Sequence, residues 1–206
     1  MSTVSELGSL RNARRGRRAD AERSISAILA AAGRLLGERP DASMDDIAKA
    51  AGISRQTVYA HFPSRDTLLD ALLAQVTDRV LDAIDAADLG TGPPADALVR
   101  FLEISWQALE TNPFLLHLTS APKSPEQERD QHEPILGPLE HLIRRGQQSG
   151  EFDPALPVSW LLSATIALGH AAGEEVRAGR ITSDEAITTL RRTIPRLFTA
   201  DEPATD

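Results

Sequence analysis

Apolar side chains recur at every third or fourth position over most of the chain, and short polar stretches holding glycine, proline or serine separate these runs. That period is one face of an α-helix, and no strict alternation of the β type replaces it anywhere. Ile25, Ile28, Leu29, Ala32, Leu35 and Leu36 give a first helix its stripe, from about Asp20 to Gly37. Two short helices follow, one started by Ser43 and ending at Ala51, the other running from Arg55 to about Phe62. A fourth helix, from Arg65 to about Ala87, carries Leu69, Leu72, Leu73, Val76, Val80 and Ile84 on one side. At 1.5 Å per residue it spans on the order of 35 Å, enough to link two domains. The stretch from Gly90 to Pro94 is the clearest break. Beyond it the pattern predicts a fifth helix over 95–110 and a short sixth over 113–119 capped by Asn112. A polar, proline-rich loop over 120–134 and a seventh helix over 135–149, ended by Gly150, come next. An eighth helix over 157–178, ended by Gly179, and a ninth over 184–198, capped by Ser183, complete an all-α fold of about nine helices.

Composition narrows the class further. A chain of 206 residues holds one large or two small domains, and only 4% of it is aromatic. The absence of cysteine excludes a disulfide scaffold and thiolate zinc sites and suits a reducing compartment. The N-terminus has no apolar signal region, and no apolar run reaches the roughly 20 residues a membrane span needs, so a cytoplasmic protein without a membrane partner is expected.

The densest information lies between Ser43 and Leu73. Ser43 and Asp46 have the spacing of a capping box, in which each side chain satisfies a free backbone amide of the other. Gly52 follows the last turn of that helix, where a left-handed residue costs least as glycine. Ile53 is a buried-type residue in the turn, and Ser54 caps the next helix, whose Val58 and Phe62 face inward. Arg55, Gln56, Thr57, Tyr59 and His61 are left on an outer face rich in hydrogen-bond donors. Pro63 stops the helix and Ser64 caps the one after it. A helix-turn-helix presents such a face to the major groove, although an ordinary helical hairpin has the same spacing.

The whole stretch, DDIAKAAGISRQTVYAHF followed by a serine-capped helix opening RDTLLDAL, resembles the DNA-binding domain of the tetracycline-repressor (TetR) family of bacterial transcription regulators. The resemblance covers about residues 22 to 73. It implies an N-terminal three-helix DNA-binding domain, and a C-terminal helical domain that binds an effector and pairs through helices eight and nine with a second copy. Arg55 and Gln56 carry the bidentate donors suited to guanine and adenine edges, and Thr57 suits a base or a thymine methyl. Tyr59 and His61 match the family's tyrosine and histidine and are expected at phosphates; packing against helix one, or a plain surface role, is the other reading of each. Ser43, Ser54 and Arg65, at helix starts, complete the candidate DNA contacts.

Net charge is −8, yet the average hides an asymmetry along the chain. Residues 1–66 hold 11 Lys and Arg against 8 Asp and Glu, while residues 67–206 hold 11 against 22. Arg14, Arg15, Arg17 and Arg18 stand in a basic stretch without apolar periodicity. It reads either as a flexible arm that neutralises phosphates or enters a minor groove, or as a solvated tail. The expected organisation is therefore a basic arm over 1–19, a helix-turn-helix domain over 20–66, an effector and dimerisation domain over 67–200, and a tail over 201–206.

The C-terminal half carries weaker signals. Helix eight is apolar nearly all round, and small residues such as Ser163, Ala167 and Gly169 admit a close neighbour, as a subunit interface requires; the central core helix of a monomer is the other reading. Trp106, Phe114, Leu118, Leu142 and Trp160 are candidate walls of an effector cavity, with Gln107, His117 and His170 as its polar groups, though each of the apolar ones is equally a core residue. His117, His132 and His141 make no helical pair of metal ligands, so neither metal nor cofactor is expected. No phosphate-cradling loop, nucleophile elbow or zinc-protease motif occurs, and no enzyme is expected. The chain thus reads as a homodimeric repressor on double-stranded DNA, bound to a palindromic operator and released by an unknown small-molecule effector. The alternative is an effector-independent regulator controlled by its abundance or by a protein partner.

Overall fold

A computed structural model describes residues 3–119 and 125–199, with side chains placed over 18–117 and 132–199. The described residues form helices and their connections, with no strand among them. The helices are α1 (Thr3–Glu38), α2 (Met44–Ala51), α3 (Arg55–His61), α4 (Arg65–Ala86), α5 (Pro94–Thr111), α6 (Phe114–Thr119), α7 (Pro125–Ser149), α8 (Val158–Arg177) and α9 (Ser183–Phe198). They divide into two compact units, Met1–Leu73 and Ala74–Asp206, with the boundary inside α4.

In the first unit the buried side chains include Ile28, Ala32 and Leu36 of α1, Ile47 and Ala48 of α2, Val58 of α3, and Leu68 and Leu72 of α4. Leu68, rather than Leu69, is the innermost residue at the start of α4. Leucine stands at 68, 69, 72 and 73, so two phases of the same 3.6-residue period fit the sequence equally well. The helix α1 also begins at Thr3 instead of Asp20, so helical backbone occupies the stretch read as an irregular arm. Leucine, alanine, arginine and glutamate are strong helix formers, and no proline interrupts them before Pro40.

The second unit has its core among α5, α7, α8 and α9, where Leu98, Phe101, Leu139, Ile143, Leu161, Ile194 and Phe198 are buried in one cluster with Ile84 of α4. Arg145 of α7 donates to the carbonyls of Leu89 and Gly92, at 2.7 and 2.6 Å, and holds the turn before α5 in place. Glu151 accepts from the amide of Ala95 at 3.1 Å, satisfying one of the free donors at the start of that helix.

Three local expectations are corrected here. The polar run read as a loop over 120–134 belongs to α7 from Pro125 onward, with Pro134 and Pro138 inside the helix. Proline at the first position is favourable, and the glutamates and glutamines after it favour helix despite their polarity. Asn112 serves the end of α5, its Nδ2 donating to the Ala108 carbonyl at 2.9 Å, rather than capping α6. The cap of α9 is Thr182, in a reciprocal box with Glu185. Bonds donated to the Glu185 carboxyl by the Thr182 amide, at 2.8 Å, and by its hydroxyl, at 2.9 Å, hold that carboxyl below the usual glutamate range. Ser183 is committed elsewhere, accepting from the Trp106 indole at 3.0 Å and donating to Glu110.

Candidate nucleic-acid interface

Two capped helices and one glycine define the exposed face of the first unit. At the start of α2, Ser43 Oγ accepts from the Asp46 amide at 3.2 Å, while Asp46 Oδ2 accepts from the Ser43 amide at 3.0 Å and from its hydroxyl at 2.7 Å. These bonds, from the hydroxyl first and then the amide, keep the Asp46 carboxyl below its ordinary value. A group with a depressed folded pKa stabilises the fold above its unfolded pKa and loses that contribution as pH falls through the folded one. The α2 cap is therefore expected to weaken in acid, below about pH 4. In Asp46→Asn this part of the acid dependence disappears, as urea unfolding between pH 3 and pH 6 would show.

Gly52 closes α2 at φ 66°, its amide shared between the Ala48 and Lys49 carbonyls. The chain then turns into Ser54, whose Oγ accepts from the Thr57 amide at 3.2 Å and lies 2.8 Å from the Thr57 hydroxyl. Ser54 and Thr57 are thus tied to each other at the start of α3. Val58 and Phe62 are buried, which fixes the rotation of α3 and leaves Arg55, Gln56 and Tyr59 exposed along its outer side. His61 is half-buried at the far end of α3.

Arg55 is not extended freely into solvent. Its Nη1 pairs with Asp45 Oδ2 at 2.7 Å, and its guanidinium carbon sits 5.3 Å from the centre of the Tyr59 ring. Asp45 was absent from the candidates, because a contact across ten residues and a turn leaves no periodic signal. Arg65 is also engaged, donating through both Nη atoms to the carbonyls of Pro40 and Ala42. The geometry therefore gives the Arg65 guanidinium backbone partners where a phosphate contact was expected. Arg18 is exposed on α1, and the side chains of Arg14, Arg15 and Arg17 lie outside the described residues.

The candidates in the second unit differ in exposure. Trp106 and Leu142 are buried in the shared core cluster, with the Trp106 indole already bonded to Ser183. Phe114 is buried, His117 is half-buried and Gln107 is exposed. Trp160 is 62% exposed, and the Leu118 side chain lies outside the described residues. His132, expected in a loop, stands on α7 opposite His170 of α8, their Nε2 atoms 3.3 Å apart and their rings tilted by 51°. Among the described residues no group of three or more histidines and carboxylates is placed to hold a metal ion. None of the described helices is long and apolar enough to cross a membrane.

Comparison with known proteins meets this geometry at the same residues. The family model described as "Bacterial regulatory proteins, tetR family" matches residues 28–72, from the middle of α1 into α4. The HTH-type transcriptional repressor LfrR of Mycolicibacterium smegmatis is 41% identical over 101 residues, covering 49% of this chain. The chain spans about half the length of that curated relative, 52% of it. A crystal structure of the TetR-like regulator LfrR from Mycobacterium smegmatis in complex with proflavine aligns with a TM-score of 0.61 at 28% identity, covering 87% of this chain and 99% of that one. A putative TetR-family regulator from Syntrophomonas wolfei aligns with a TM-score of 0.71 over 85% of this chain and 95% of that one; at 18% identity the likeness is one of fold. Residues 28–72, which hold the glycine-turned, doubly capped helix pair, are thus similar to the tetR family of bacterial regulatory proteins, and the fold of the chain is that of solved TetR-like regulators.

Proposed function

We propose that the chain is a sequence-specific, DNA-binding transcription regulator, not an enzyme, acting as a homodimeric repressor. The observation that carries this reading is the outer face of α3, where Arg55, Gln56 and Tyr59 are held outward by a buried Val58 and a serine cap at each helix start. Two such helices related by a two-fold axis read a palindromic operator with half-sites about one duplex turn, or a multiple of it, apart. Pairing through α8 and α9 is supported by what α8 leaves uncovered. Leu161 and Thr165 of α8 are buried, while Trp160, Ser163, Ala167 and Ala171 are exposed on another side, and Leu197 of α9 is 43% exposed.

Release by a small molecule bound in the second unit is supported by the relative whose solved structure holds proflavine. An effector acts by binding one state more tightly than the other, so that the operator-competent state loses population. The test is fluorescence anisotropy on duplex DNA from the region flanking the chain's own coding sequence, with an unrelated duplex of equal length as competitor. Saturable, salt-sensitive binding that the competitor displaces poorly is expected; equal affinity for both duplexes would sink the reading. Proflavine binding is read separately by quenching of Trp106 and Trp160 fluorescence without DNA, because a planar dye that enters DNA displaces proteins by itself. No quenching by proflavine or by a panel of related aromatic cations counts against that class of effector.

A further inference from the structure

The exposed face of α3 holds one ion pair that reaches outside the helix. Asp45 on α2 accepts from Arg55 Nη1 at 2.7 Å, with the two side chains 51% and 67% exposed. As a contribution to folding such a pair counts for little, since water and salt screen it. Its place is what matters, because Arg55 is the residue best suited to a guanine edge. A guanidinium is a planar fork of five donors. Here the carboxylate occupies one edge and the Tyr59 ring lies 5.3 Å from the guanidinium carbon, so the remaining edge is the part left to donate.

We propose that Asp45 is a positioning residue that sets DNA specificity through Arg55. This rests on the reading of α3 as the helix that meets base edges. Two effects follow from one carboxylate. It restricts the rotamers of Arg55, so that less side-chain freedom is lost when the open edge meets guanine O6 and N7. It also biases the choice of partner, since a phosphate approaching Arg55 approaches Asp45 too and is repelled, whereas a neutral base edge is not. Asp45 thereby penalises the sequence-independent contact and spares the sequence-dependent one, which is how a repulsive element generates discrimination.

The test uses the full chain. Wild type first selects duplexes from a randomised library; affinities for a selected and an unrelated duplex are then measured at several salt concentrations for wild type, Asp45→Ala, Asp45→Glu, Arg55→Ala and the Asp45→Ala/Arg55→Ala pair. Asp45→Ala is expected to bind the unrelated duplex several-fold more tightly and to steepen the salt dependence by about one ion for each α3 in the complex. Its ratio of selected to unrelated affinity should fall roughly tenfold, of the size one bidentate base contact supplies. Asp45→Glu should restore part of the ratio, and in the Arg55→Ala background Asp45→Ala should leave it unchanged. Equal weakening on both duplexes, or the same change with and without Arg55, overturns the role of Asp45. A wild-type chain that enriches no sequence overturns the DNA reading itself, and this proposal with it.

Discussion

Replacing Gly146 with alanine is expected to lower the thermal midpoint of the second unit by about 10 °C. A Cβ at Gly146 would lie 2.0 Å from Cδ2, 2.4 Å from Cε2 and 2.6 Å from Cγ of the Phe152 ring, closer than real side-chain contacts allow. The ring has little room to retreat. It is 1% exposed and stacks edge-on against Phe198, with centroids 5.1 Å apart. Its backbone is tied as well, since the Phe152 amide donates to the Gly146 carbonyl and the Asp153 amide to the Phe198 carbonyl. Gln147 adds two bonds to the same loop, to the carbonyls of Asp153 and Leu156. Overpacking a tight core costs about 1–3 kcal/mol, and a clash this deep belongs at or above the upper end. In a domain of this size each kcal/mol moves the midpoint by about 2–4 °C. Thermal unfolding followed by circular dichroism checks the effect. Combining the change with Phe152→Leu should return part of the loss, because the two substitutions share one space and are not additive. An unchanged midpoint in the single variant would show that the loop yields after all.

The second large effect is expected at Ala167. If α8 pairs two copies as proposed, substituting arginine there should leave helix content unchanged, convert the proposed dimer to monomer in sedimentation velocity, and weaken binding to a selected duplex by at least about a hundredfold. Ala167 is exposed on α8, four residues after Ser163 and four before Ala171, so the chain's own core has no claim on the position. In a two-fold interface every substitution is made twice, and an arginine on a close-packed small-residue face brings bulk and like charge from both subunits. A monomer keeps one α3, and with it half of the base and phosphate contacts. A persistent dimer with full operator affinity would place the subunit interface elsewhere.

How much of this could be read in advance depended on the range over which each cause acts. The caps at Ser43, Ser54 and Ser64, and the glycine turn at Gly52, are set by neighbours three or four residues away, and the structure has them where the spacing put them. Thr182 was legible for the same reason: the Thr-x-x-Glu spacing to Glu185 was present, but Ser183 beside it offered a rival. The start of α7 was hidden by polarity, because a run of glutamate and glutamine after Pro125 shows no apolar face although it favours helix. Asp45 against Arg55, and His132 against His170, join residues that only the folded chain brings together. In the second unit, Trp106 is a residue that an apolar cavity wall and an apolar core would both use, and its bond to Ser183, far along the chain, leaves no periodic signal.

Arg65 fastens the first turn of α4 to the carbonyls of Pro40 and Ala42, inside a unit that ends at Leu73. The first unit therefore carries its own latch. Recombination that joins a foreign second unit after Leu73 would cut none of these bonds, and the fused chain would keep them without any matching substitution upstream. Exchange at a seam closer to Pro63 would leave Arg65 behind and open the latch, which makes the few residues between the two seams the costliest part of the chain to shuffle.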